Sequence, residues 1–244
     1  MSRGIGETEL LAGLPEAATA VAGLVTQLGD MWFVVVAVCA LFVLAWRDRS
    51  LTDAPARDCV YLLALTVGAY SLTVALKHAF GLPRPPGAAT ATPPAWVPAV
   101  GHAAYESMVT GDGYGFPSGH ALKTTAVYGA GALVLDAWDR DRRLVVAAAV
   151  SVLVAASRVV LGVHYVVDVV AGAAVGALFL AVAVRLTDQR PARALALSTA
   201  LGALAVGVAG TTKSVLALSA AAVGLVVWVG SDRVRSARAD VTEG

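Results

Sequence analysis

Seven stretches of this chain can each run as a helix through hydrocarbon: roughly residues 31–46, 59–80, 119–137, 143–161, 165–184, 192–209 and 213–230. Crossing a bilayer takes about 20 mostly apolar residues in helical form. The run SVLALSAAAVGLVVWVG, residues 214–230, holds no charged side chain at all. The pattern predicts an all-α fold, a polytopic membrane helical bundle of about seven transmembrane helices. Composition agrees, with 58% of the 244 residues hydrophobic and only 14% charged, against about a quarter charged in a soluble domain.

Residues 10–28 are different. Leu11, Leu14, Val21, Leu24, Val25 and Leu28 recur at helical spacing, while Glu16, Thr19 and Gln27 interrupt them. This predicts an amphipathic helix lying in the membrane interface; a short eighth span is the competing reading. No cleavable signal peptide is read in the first nine residues. The chain divides into an N-terminal interfacial segment at 1–30, a core at 31–185, and two further spans with a basic tail at 186–244.

The basic residues test the topology, because short cytoplasmic loops are enriched in them. Arg47, Arg49, Arg57, Arg140, Arg142, Arg143, Arg185, Arg190, Arg193, Arg233, Arg235 and Arg238 all fall on one side of a seven-span arrangement. That side is read as cytoplasmic, with the C-terminus on it. The longest connection, 81–117, is then extracytoplasmic; its run GLPRPPGAATATPPAWVP precludes helix throughout. His102, Glu106 and Asp112 in this loop are read as ordinary exposed polar residues. The net charge of +1 provides no field for nucleic acid. Cys39 and Cys59 show neither a disulfide framework nor metal spacing.

Three polar clusters interrupt the apolar pattern on the loop side. KHAFGLPRP, residues 77–85, puts Lys77 near a helix end that Gly81 and Pro83 terminate, and Arg84 in the following loop. FPSGH, residues 116–120, suits a helix start with Ser118 as N-cap. The free N–H groups of Gly119 and His120 then make an anion site at that terminus. SRVVLGVHYVVD, residues 157–168, ends one helix at Arg158, turns at Gly162, and begins the next at His164. Asp168, four residues on, is placed to share a helix face with His164 and hold one ring nitrogen, freeing the other.

Each cluster alone has an ordinary structural reading: snorkelling cations, a plain cap, a buried His–Asp pair. Together they assemble three cations, a helix N-terminus, two imidazoles and a carboxylate inside an apolar span, where ionisable groups are costly and usually functional. Cations and free amides suit a phosphate. Two histidines suit its transfer. No carboxylate cluster is read that could hold Mg²⁺.

The three motifs resemble the signature of the type 2 phosphatidic acid phosphatase family, K-x6-RP, PSGH and SR-x5-H-x3-D, in type, spacing and order across residues 77–168. The resemblance implies a helical-bundle phosphatase acting without a metal or other cofactor. It implies that Lys77, Arg84, Ser118, Gly119 and Arg158 bind phosphate. It further implies that His164 is the nucleophile forming a phosphohistidine, with Asp168 orienting it and His120 as general acid, then base. The expected partner is a membrane lipid: phosphatidate, phosphatidylglycerophosphate, or an isoprenyl phosphate or diphosphate. The alternatives are a vanadate-dependent haloperoxidase-like enzyme, whose relatives share the cradle but are soluble, a phosphotransferase using the same site, or a non-catalytic channel. Where many relatives read RPRP, this chain has Arg84–Pro85–Pro86–Gly87. One cation fewer makes a diphosphate a slightly poorer fit. Oligomeric state is not legible in the sequence.

Overall fold

Nine α-helices and one 3₁₀ turn carry the described chain, and no strand occurs among the described residues. The structure, a computed structural model, describes residues 3–6, 11 and 13–243, with side chains described as far as Val234. Parts of the expected N-terminal interfacial segment, residues 1, 2, 7–10 and 12, lie outside the described residues. So do the side chains of Arg235 and Arg238 in the basic tail.

The helices are α1 (Glu16–Gln27), α2 (Met31–Arg47), α3 (Pro55–Phe80), α4 (His102–Val109) after the turn Ala99–Gly101, and α5 (Gly119–Val134). They continue with α6 (Arg140–Val160), α7 (Val166–Thr187), α8 (Pro191–Ala209) and α9 (Thr212–Glu243). Local chemistry sets several boundaries. Pro55 and Pro191 open α3 and α8, where a missing N–H costs nothing. Gly81 closes α3 in the left-handed conformation, φ 60°, with its N–H on the Lys77 carbonyl. Asp139 caps α6 by accepting from the Arg142 N–H at 2.8 Å.

All seven apolar segments correspond to helices, but they are not equally long. Helices α3, α6, α7, α8 and the Thr212–Val234 part of α9 are each long and apolar enough to cross a membrane. α1 and α2 together form a sixth candidate, bent by 54°. At 17 and 16 residues, α2 and α5 rise only about 24–26 Å at ~1.5 Å per residue. That falls short of the ~30 Å hydrocarbon. Length and apolarity alone thus give five candidate spans, or six with α1 and α2 as one bent span, and do not confirm seven.

α3 is the axis of the bundle: 61% of its most apolar stretch is buried, against 17–33% for the other four long helices. Tyr61, Leu62 and Leu65 of α3 pack with Leu122 and Ala126 of α5, Phe179 of α7 and Leu195 of α8. α5 and α7 touch backbone to backbone. Gly172 and Gly176 of α7 lie against the carbonyls of Ser118 and Leu122; a Cβ on Gly176 would come within 2.5 Å of the Leu122 oxygen. Small residues four apart allow such an approach in lipid, where packing drives association. This seam brings the start of α5 onto the start of α7, with Ser118 N–H donating to the Asp168 carbonyl at 2.9 Å.

Four helix ends therefore meet: the C-termini of α3 and α6 and the N-termini of α5 and α7. The loops carrying Arg47, Arg49, Arg57, Arg140, Arg142, Arg143, Arg185, Arg190 and Arg193 lie at the opposite end. There Asp136 N–H joins the α5–α6 connection to the Leu51 carbonyl at 2.9 Å.

Candidate active site

The loop after α3 presents Arg84, whose guanidinium is fixed from three sides. Its Nε donates to the Asp112 carbonyl at 2.8 Å, and Nη1 donates to the Val163 carbonyl at 2.9 Å. Nη1 also lies 3.0 Å from His164 Nε2. Gly111 lets the loop lie flat on this fork, since a Cβ there would come within 2.7 Å of Nη1.

His164 and Asp168 are 1% and 0% exposed. Their pairing is made differently from the expected shared helix face. α7 begins only at Val166, so His164 stands in the link before it. Asp168 occupies the third helical position and reaches back, as the acid of a capping box does. Its Oδ2 accepts from the Tyr165 N–H at 3.1 Å and lies 3.3 Å from His164 Nδ1. Gly162, at φ +66°, makes the turn that allows this.

The tautomer of His164 follows from the partners. A guanidinium can only donate, so Nε2 beside Arg84 offers its lone pair, and Nδ1 carries the proton toward Asp168. Burial, then the nearby charges of Arg84, Lys77 and Arg158, hold this imidazole well below its ordinary value of 6.5. It is neutral at neutral pH, with Nε2 unprotonated beside three cations.

The cradle around it is buried and short of partners. Ser118 stands at the N-cap of α5 but makes no side-chain cap bond, and its buried Oγ has no partner. Arg158 is 4% exposed; Nη1 donates to Thr26 Oγ1 at 2.9 Å, while Nε is unpartnered. Lys77 is half-buried near Arg84 and Arg158. Gly119 presses the start of α5 onto α3; a Cβ there would meet Thr73 Cγ2 at 2.7 Å. An orphaned hydroxyl, an orphaned guanidinium N–H and uncompensated cations at a helix N-terminus fit an anion with several oxygens. On the other histidine, His120 Nε2 lies 3.0 Å from Asp30 Oδ1. All eight residues expected from sequence thus gather at one end of the bundle.

A family model described as the PAP2 superfamily matches residues 58–192, more than half of the chain. The chain belongs to the PAP2 superfamily. Among curated proteins none matches it. Its fold is similar to that of a solved transmembrane PAP2-type phosphatidylglycerolphosphate phosphatase from Bacillus subtilis, at a TM-score of 0.54 and 23% identity. The similarity covers 72% of this chain and 80% of that one. The protein is accordingly a multi-pass membrane member of the PAP2 superfamily.

The PAP2 match contains all three motifs and stops short of several contacts that the structure adds from the N-terminal part. Arg3 Nη2 donates to Asp168 Oδ1 at 3.1 Å and to the Pro83 carbonyl at 2.7 Å, with its guanidinium 5.2 Å from the Tyr165 ring centroid. Thr26 holds Arg158, and Asp30 holds His120. Lys123 is also buried near the site, 6.0 Å from the Tyr70 ring centroid. Lys123 had a sequence signal, being an ionisable residue inside an apolar segment one turn from His120. Asp30 borders such a segment and reads as an ordinary cap; Arg3 and Thr26 carry no signal.

Proposed function

We propose that this protein is a membrane lipid phosphatase that hydrolyses a lipid phosphate monoester through a phosphohistidine on His164, at the extracytoplasmic face. The observation that carries the reading is the contact between Arg84 and His164 Nε2. It requires the tautomer a nucleophile needs, at the nitrogen that faces the cations. Phosphate oxygens would be held by Lys77, Arg84, Arg158, Ser118 Oγ and the free N–H groups at the start of α5. Among the described residues no group of three or more His, Cys, Asp or Glu is placed to hold a metal ion. The three cations supply the charge stabilisation that a metal gives elsewhere.

The steps balance with the residues present. His164 Nε2 attacks phosphorus, and the P–O bond to the lipid breaks with its electron pair on the leaving oxygen. That oxygen takes a proton from His120. Water then attacks the phosphohistidine and gives a proton to His120. The P–N bond breaks, its pair returns to Nε2, and phosphate leaves. Asp168 holds Nδ1–H throughout and stabilises the charge on the modified ring.

Family membership supports the phosphatase class, and the solved relative supports phosphatidylglycerophosphate as a candidate beside phosphatidate and isoprenyl phosphates. The arginine-rich end, opposite the site, supports an extracytoplasmic active centre. The test is phosphate release from a panel of lipid phosphates and diphosphates in detergent with EDTA. It is joined to trapping of ³²P on the protein by alkaline quench. His164→Ala should abolish label and turnover together. Label that persists in His164→Ala, or activity that EDTA stops and Mg²⁺ restores, would sink the mechanism.

A further inference from the structure

The bend between α1 and α2 brings a carboxylate to the second histidine. Asp30 stands at the N-cap position of α2, where aspartate ordinarily bonds the free N–H groups of the first turn. Here it makes no such bond. Its Oδ1 lies instead 3.0 Å from His120 Nε2. A carboxylate accepts, so Nε2 carries a proton, and Nδ1 has no partner among the described residues.

The bend is held in place by three contacts that do not involve Asp30's own carboxylate. Tyr128 Oη of α5 donates to the Leu28 carbonyl at 2.7 Å. Arg158 of α6 donates to Thr26 Oγ1 at 2.9 Å. Gly29 fits against α5 and α6 so closely that a Cβ would come within 2.8 Å of both His120 Cδ2 and Val154 Cγ1. The carboxylate is thus delivered to the imidazole by a fixed backbone. Arg158 and Lys123 lie near the pair.

We propose that Asp30 is a positioning residue for the general acid: it holds Nε2–H of His120 and steadies the charged, doubly protonated ring, aiming the second proton, on Nδ1, at the leaving oxygen; the ring left neutral regains that proton from the attacking water. The site then holds two carboxylate–histidine pairs of opposite sense. Asp168 takes Nδ1 of the nucleophile and frees Nε2; Asp30 takes Nε2 of the acid and frees Nδ1. The carboxylate of the second pair, Asp30, comes from outside the matched family region, residues 58–192. This inference rests on the phosphatase reading above.

The test is the leaving-group dependence of kcat/KM, which reports steps through departure of the leaving group. An alkoxide leaving from phosphatidate needs a proton; p-nitrophenolate leaving from p-nitrophenyl phosphate does not. Asp30→Asn should lower kcat/KM for phosphatidate about 10²-fold while changing that for p-nitrophenyl phosphate less than about 5-fold, the range expected for general acid assistance. Turnover of the aryl substrate doubles as evidence that the variant is folded. Asp30→Glu, which keeps the carboxylate, should recover part of the loss on phosphatidate alone. In a His120→Ala background, Asp30→Asn should cost less than about 2-fold more, because the pair acts as a unit. An equal loss on both substrates, or a full further loss without His120, would make Asp30 a purely structural residue and overturn the proposal. Wild-type protein that releases phosphate from neither p-nitrophenyl phosphate nor any lipid phosphate of the panel would instead overturn the phosphatase reading, and this proposal with it.

Discussion

Arg158→Lys separates a transition-state contact from a structural one. Arg158 is 4% exposed, spends Nη1 on Thr26 Oγ1 at 2.9 Å, and keeps a buried Nε without a partner. A planar fork can hold Thr26 with one nitrogen and phosphate oxygens with others, whereas an ammonium is a single point. Lysine at this position therefore satisfies the hydroxyl or the phosphate, not both. The charge survives, so the fold should survive. One directed contact to the phosphoryl oxygens is lost, and losing one such donor costs about 2.7–4 kcal/mol, or ~10²–10³ in rate. Thr26→Val makes the converse change: it removes the hydroxyl and leaves the fork, so the ~1.5–3 kcal/mol of that hydrogen bond is lost from stability while the phosphate contact stays, and turnover should fall less than in Arg158→Lys. The assay is kcat/KM on a lipid phosphate for both variants in detergent, with thermal unfolding of each as the control. Near-normal turnover in Arg158→Lys, or a larger loss in Thr26→Val, would refute the assignment of Arg158 to phosphate.

Histidine-selective ¹⁵N NMR of the free protein should show His164 neutral at pH 6 with its proton on Nδ1. Its pKa is depressed, so the neutral ring persists as pH falls through the ordinary range and is lost only below it; a midpoint at or above 6.5 refutes this. Gly172→Leu should separate α5 from α7, lowering thermal stability by an overpacking cost of about 1–3 kcal/mol and abolishing turnover. Gly131→Ala, with nothing within 4 Å of the added carbon, should be neutral or slightly stabilising; equal damage from both would deny the seam its role. A cysteine placed at exposed Ala103 should react with an impermeant reagent on intact cells, and one at exposed Asp141 should not; the reverse would invert the topology.

Hydropathy located every long helix because burial in lipid is written in side-chain polarity, residue by residue. It could not say which helices cross alone. That depends on where a polar contact ends a helix, as Asp30 and Ser118 do at the starts of α2 and α5. The eight candidate site residues could be picked out because such residue types at fixed spacing sit within one helix end or one link. The expected helix start at His164 is two residues early, since the helix begins at Val166: the capping geometry of Asp168, not helix periodicity, joins the two. Arg3, Thr26 and Asp30 were not legible because each acts on a partner 90 or more residues away. No local pattern encodes such a contact.

The guanidinium on His164 Nε2 also determines what can reach that nitrogen. Arg84 is tied to two carbonyls, and its third contact is the reactive lone pair itself. An uncharged electrophile drifting in from the lipid offers Arg84 nothing and meets a nitrogen already engaged. On the proposed mechanism, a phosphate dianion would give the cation a stronger acceptor, draw it off the imidazole and bare the lone pair in the same motion. On that reading the resting site carries its own protecting group, and the substrate's charge would be the reagent that removes it.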